Sequence, residues 1–295
     1  MNKVRRISIL FHNLCFVHYR IWTSIFILLI PTSASAQQKF PLVFSPSIGD
    51  KLIYTMNTSV QAEGKDLSGM DISVGVTASG EISFDVKRKI PDRVFTGLTT
   101  PGIQVEVETL EGPQLYSLKT KANMALQAAF DPRGSLHEIH NLKAFNREKV
   151  MNISLVQILR DYFPVLPGKP VSIGEIWIDN KRINLPFQEI DLEILIETKY
   201  ALQNVIPSAQ GDVAVISMDY EVRLSGSKSL GEWTSSFEGK GAGGGLLNFL
   251  IQRGCFQEFW ADYQTKAALV IKKEGKPLME WPFHLSIFAS AIMTN

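Results

Sequence analysis

The chain has 295 residues, 45% hydrophobic, 20% charged and 10% aromatic. These are globular proportions; they exclude a disordered, collagenous or coiled-coil chain, and the length suffices for one large core or two small ones. The formal net charge is +1, yet Lys3, Arg5, Arg6 and Arg20 fall in the first 36 residues, which hold no acid; the rest has 26 basic against 29 acidic side chains. A near-neutral body gives no electrostatic footprint for nucleic acid.

The first 36 residues read as an export signal. A basic stretch precedes the apolar run Ile25–Ile30, Pro31 breaks it, and Ala34-Ser35-Ala36 offers the small residues that a signal peptidase reads. Cleavage is expected between Ala36 and Gln37. The apolar run is too short to cross about 30 Å of hydrocarbon, which takes roughly 20 residues. Arg5-Arg6 is not continued as a twin-arginine signal, and Cys15 lacks the small residues that precede a lipidated cysteine. The expected mature chain is exported, outside the cytoplasm, with no transmembrane segment.

The body then alternates with period two, the mark of half-buried strands. Ser47-Ile48-Gly49-Asp50 opens a strand at Lys51–Tyr54. Ile82, Phe84 and Val86 alternate with polar residues, as do Ile103, Val105 and Val107. Lys87-Arg88-Lys89 reads as a solvated strand end, broken by Ile90-Pro91-Asp92. Asp131-Pro132-Arg133-Gly134 fits a type I turn. His137 and His140 follow it, three apart, a spacing that puts them on opposite faces of a strand and so argues against a shared metal. From Asn146 to Phe163, Val150, Ile153, Val156, Leu159 and Phe163 recur every three or four residues and predict an amphipathic helix covering the sheet. Pro164, Pro167 and Pro170 end it.

Beyond this linker, Ser172-Ile173-Gly174-Glu175 opens a second strand start at Ile176–Ile178. Leu192, Ile194 and Ile196 alternate, then Ile216, Met218, Tyr220, Val222 and Leu224, the longest run; Ile206-Pro207-Ser208 breaks a strand between them. Such clean alternation predicts antiparallel sheet with one wet face. Gly239-Lys240-Gly241-Ala242-Gly243-Gly244-Gly245 lacks the Ser or Thr that a phosphate loop needs after its lysine, and strands flank it; it reads as a flexible or tightly curved strand. Cys255 is alone once the leader is removed, so no internal disulfide forms; Phe256, Phe259 and Trp260 mark it as a buried small hydrophobe. The apolar tail, Trp281 to Ile292, reads as a last core strand or a docked terminal helix.

Two motifs recur in order. The two strand-opening tetrads stand 125 positions apart, and Arg133-Gly134-x-apolar-x-Glu138 returns 120 positions later as Arg253-Gly254-x-Phe256-x-Glu258. The pair suggests two copies of a β-rich unit, residues 37–165 and 166–295; a single long meander with shared hairpin chemistry stays open beside it.

Taken together, the signal, the Ser-Ile-Gly-Asp start, the Phe130-Asp131-Pro132-Arg133-Gly134 hairpin, the linker Leu166-Pro167-Gly168-Lys169-Pro170 and Ile173-Gly174-Glu175-x-Trp177 resemble a family of exported Gram-negative proteins with a domain of unknown function. More distantly the chain is similar to periplasmic lipoprotein carriers and receptors. That resemblance implies a half-open barrel holding an apolar ligand or acyl chain under helices.

The expected fold is α+β and mainly antiparallel β: a curved sheet or half-open barrel of two tandem repeats with one covering helix. No catalytic set, metal site or cofactor is read from the residues. The expected function is non-catalytic binding of an apolar ligand such as a lipid or acyl chain, lined by Phe84, Val86, Val105, Val107, Val156, Leu159, Met218 and Tyr220; the alternative is a structural or protein-interaction part of the envelope.

Overall fold

The period-two pattern is what folds this chain. A computed structural model describes residues 38–65, 70–109, 112–146, 149–150, 153–154, 159–160, 162–187 and 190–295. Its strands are β1 (Lys39–Pro41), β2 (Lys51–Lys65), β3 (Asp71–Ile90), β4 (Arg93–Thr109), β5 (Gly112–Leu118), β6 (Leu126–Phe130) and β7 (Leu136–His140). After a 3-10 turn at Leu142–Ala144 come β8 (Lys149–Val150), β9 (Ile153–Ser154), β10 (Pro170–Ser172), β11 (Ile176–Phe187), β12 (Ile190–Ser208), β13 (Gly211–Leu230), β14 (Trp233–Leu250), β15 (Cys255–Lys273) and β16 (Lys276–Met293).

Twelve strands form one antiparallel sheet in the order β11-β12-β13-β14-β15-β16-β2-β3-β4-β6-β7, with β5 on the side of β4. Two meanders thus meet where β16 ladders against β2, and Lys39–Asn295 is one compact unit. One face carries the core. Ile82, Phe84, Val86, Val105, Val107, Ile194, Ile196, Ile216, Met218, Val222 and Leu224 are all buried, as alternation demands. Trp281 to Ile292 lie on β16, the last core strand.

The sheet does not close into a barrel, and its ends are joined by side chains and a linker instead of a ladder. Arg133, in the β6–β7 turn, sets a guanidinium nitrogen 2.9 Å from Asp179 Oδ1 on β11. Between them runs Phe163–Leu166. The Leu166 N–H donates to Arg133 O at 2.9 Å, Arg133 Nε donates to Leu166 O at 3.2 Å, and Trp177 Nε1 on β11 donates to Val165 O at 3.0 Å. Residues without their own ladder partner are therefore satisfied from both sheet ends.

The helix expected over Asn146–Phe163 is a correction. Lys149–Val150 pairs antiparallel with Ile153–Ser154, which a continuous helix forbids; among the described residues of this stretch, Leu159, Arg160 and Tyr162 alone are helical. The fold is accordingly almost all β, not α+β. Val150 and Ile153 are β-branched and stiff at χ1, which favours extended backbone. A three-and-four spacing also suits an irregular chain threaded through an interior. Phe163 is such a residue: its ring lies 5.6–6.0 Å from those of Tyr54, Phe84, Phe256 and Phe259.

The recurring motifs do the same local work. Gly49 and Gly174 have φ of 92° and 83°, the left-handed region that glycine alone enters freely. Gly49 donates to Val86 O at 3.0 Å, and Gly174 to Leu202 O at 2.7 Å. Each is followed by an acid whose carboxylate accepts from the serine N–H three residues back, Asp50 at 2.9 Å and Glu175 at 3.1 Å. The Arg-Gly pairs turn β6 into β7 and β14 into β15. They also flank one segment: Phe44 N–H donates to Pro132 O, and Ser45 N–H to Gly254 O, both at 2.8 Å. Asp131 also accepts from the Arg133 and Ser135 amides at 2.9 Å, closing the expected turn.

Candidate ligand-binding cavity

Strong curvature of the sheet begins in β14. Its inward-facing positions 239, 241, 243 and 245 are all glycine. A Cβ at Gly239 would lie 2.7 Å from Ala267 Cβ, and one at Gly245 2.8 Å from Met218 Cε; at Gly243 it would overlap Tyr263 Cβ and Asp262 O. The outward Gly244 has nothing nearer than 3.6 Å. Gly243 pairs with Tyr220 on one side and Tyr263 on the other. Strands two apart in a sheet are separated by about 9.5 Å. Here the Tyr220 and Tyr263 ring centroids are 5.7 Å apart, because the two side chains lean together over Gly243, which has none. The run once open to a phosphate-loop reading is strand throughout.

Against this wall the Tyr162–Pro164 segment leaves a cavity of about 190 Å³, lined by residues that include Thr58, Tyr162, Phe163, Lys181, Ile196, Thr198, Tyr200, Tyr220, Phe259 and Tyr263. Aromatic rings form much of it. Tyr200 stacks on Trp177 at 5.4 Å and 3°, and Tyr162 meets Phe259 edge-on at 5.4 Å. Burial pushes the phenols of Tyr162 and Tyr263 up to about 12; burial raises those of Tyr200 and Tyr220 further. All four are neutral hydroxyls at physiological pH. Tyr162 Oη donates at 2.5 Å to Ser290 O, Tyr200 Oη accepts from Val165 N–H at 3.2 Å, and Tyr220 Oη has the sulfur of Met218 at 3.3 Å. Lys181 Nζ donates to Phe163 O at 3.1 Å. Of the lining residues among those described, it alone is charged.

The residues expected to line a ligand divide. Tyr220 is on the cavity wall and Met218 directly behind it, 1% exposed. Phe84 lies below, in an aromatic cluster with Tyr54, Phe130 and Phe163 whose free space is about 10 Å³, room for one water at most. Val86, Val105, Val107 and Leu159 are buried in the packed core. Val156, Ala36 and Gln37 lie outside the described residues. Sequence reasoning missed Tyr162, Tyr200, Tyr263 and Lys181. Inward parity on β12 and β15 could have found Tyr200 and Tyr263, but only the fold brings Lys181 from the sheet's end strand. His137 and His140 part as expected: His137 Nε2 is 3.0 Å from Asp131 Oδ2, His140 Nε2 3.6 Å from Glu138 Oε2. Cys255 is buried, and burial pushes its thiol up to about 11, so it is an inert packing residue.

No family model matches the chain, and no curated protein matches it. Among solved structures it is similar to the crystal structure of Pseudomonas aeruginosa OccK2 (OpdF) in complex with glucuronate, at a TM-score of 0.22 and 6% identity, over 85% of this chain and 100% of that one. No functional argument attaches to a likeness of that size. Among the described residues no helix is long and apolar enough to cross a membrane.

Proposed function

We propose that this is an exported, non-catalytic envelope protein that binds a small, mainly apolar ligand on the concave face of its sheet. The observation that carries the reading is the cavity between Tyr162–Pro164 and the wall of Tyr200, Tyr220 and Tyr263. A cavity of about 150 Å³ takes up benzene, whereas drug-sized ligands fill roughly 300–1,000 Å³. At about 190 Å³ the space suits a small molecule or a short length of chain, not a whole lipid. Phe163 and its neighbours act as the plug that bounds it. Export rests on the basic, apolar and Ala34-Ser35-Ala36 order of the leader.

The same reading includes a tandem origin. Equivalent turn hydrogen bonds at Gly49 and Gly174, and Arg-Gly turns between the fourth and fifth main-sheet strands of each meander, support two copies of one β unit fused edge to edge through β16 and β2.

The second reading, an interaction component of the envelope, has one observation in its favour. Trp260, Phe288 and Ile292 are 45%, 39% and 52% exposed on the convex side of adjacent strands. Native mass spectrometry of the protein purified from its own envelope separates the two. A co-purifying small molecule is expected; a bare chain that also fails to take up N-phenyl-1-naphthylamine would leave the interaction reading.

A further inference from the structure

We infer that the cavity selects a small ring-bearing acid, a single six-membered ring carrying an anionic group, over a straight acyl chain. This deepens the ligand-binding reading and rests on it. Size comes first: a space of about 190 Å³ holds one ring with a substituent, given that benzene occupies a cavity of about 150 Å³. Shape comes second. Tyr162, Tyr200, Tyr220, Tyr263 and Phe259 present rings from several directions, and rings prefer offset or edge-to-face partners that a flexible chain cannot supply.

Charge and polarity come third. Lys181 brings the one cationic group among the described lining residues, held at the wall by its bond to Phe163 O. It is carried by β11, and Tyr263, on β15, lines the same cavity. No hydrogen bond reaches Tyr263 Oη among the described residues, and the Tyr220 hydroxyl has only a thioether sulfur, a weak acceptor. A carboxylate near Lys181 gains a charge-assisted contact. A polar substituent on the far side of the ring gives the two phenols a partner. A straight acyl chain brings a carboxylate to Lys181, as octanoate does, but offers nothing to the two phenols and no ring to the aromatic walls.

Isothermal titration calorimetry of the leader-free protein with 4-methylbenzoate, toluene and octanoate tests this. 4-Methylbenzoate is expected to bind at least tenfold more tightly than either of the others. Lys181→Met should bring it to the level of toluene while toluene itself is unchanged. Tyr263→Phe, which keeps the ring and removes the hydroxyl, should leave 4-methylbenzoate unchanged and weaken 4-hydroxybenzoate, whose own hydroxyl meets the phenols, about threefold or more; it serves as the probe if the lysine variant does not fold. Octanoate equal to or tighter than 4-methylbenzoate overturns the inference and leaves the ligand-binding reading standing. If none of the three binds, and N-phenyl-1-naphthylamine does not either, the ligand-binding reading itself falls.

Discussion

Tyr220 and Tyr263 sit two strands apart and yet bring their ring centroids to 5.7 Å, because the residue registered between them is Gly243. The contact forms one wall of the cavity. Gly243→Ala should therefore lower stability by about 1–3 kcal/mol, or more if β15 cannot move away. Gly244→Ala, one residue along, where a Cβ would meet only Met218 O at an ordinary 3.6 Å, should be neutral or slightly stabilising. Urea unfolding of the pair makes the comparison; equal losses would remove the close-approach explanation.

Phe163 is expected to behave as core even though it comes from an irregular segment. It is 6% exposed and packs against rings from β2, β3 and β15. Phe163→Ala should cost about 3–5 kcal/mol. A loss below 1 kcal/mol would show that the plug is not packed as described.

Thr265 is 1% exposed and its hydroxyl has no hydrogen-bond partner among the described residues. Leaving a buried polar group unpaired costs about 1–3 kcal/mol. Thr265→Val keeps the volume and removes that cost, so a gain of about 1 kcal/mol is expected in the unfolding midpoint. Destabilisation would reveal a partner for the hydroxyl.

The buried phenols make stability fall in strong alkali. Unfolded tyrosines ionise near pH 10, whereas Tyr162 and Tyr263 hold their protons to about 12 in the fold. Between those values the unfolded chain binds fewer protons. Stability is full below about pH 10 and drops as pH rises, by at most about 1.4 kcal/mol per unit for each such tyrosine. Urea titrations at pH 8, 10 and 11.5, with phenolate absorbance recorded alongside, should show the decline; a flat profile would contradict burial of these rings.

Export makes a simple prediction. Amino-terminal sequencing of the protein from a fractionated cell should begin at Gln37, in the envelope fraction. Recovery from the cytosol with Met1 intact would refute it.

Alternation at Ile82–Val86, Ile103–Val107, Leu192–Ile196 and Ile216–Leu224 was enough to determine that the chain is antiparallel sheet and which face is buried, because a strand's side-chain period is fixed by its backbone. The turns at Gly49, Gly134 and Gly174 were equally legible, since local φ and a side-chain cap decide them. The stretch from Asn146 to Phe163 was not: its apolar spacing suits a helix, yet its described parts include the strand pair 149–150 and 153–154 and Phe163 held among the rings of the interior, tertiary contacts that local spacing does not encode. Nor could residue order reveal the cavity. Lys181 and Tyr263 are 82 positions apart in sequence and line one cavity because the sheet carries β11 and β15 to the same concave face, with Arg133 and Asp179 paired across its ends. Backbone period is written residue by residue; curvature and closure arise from contacts between strands, so only the tertiary structure decided where a ligand could sit.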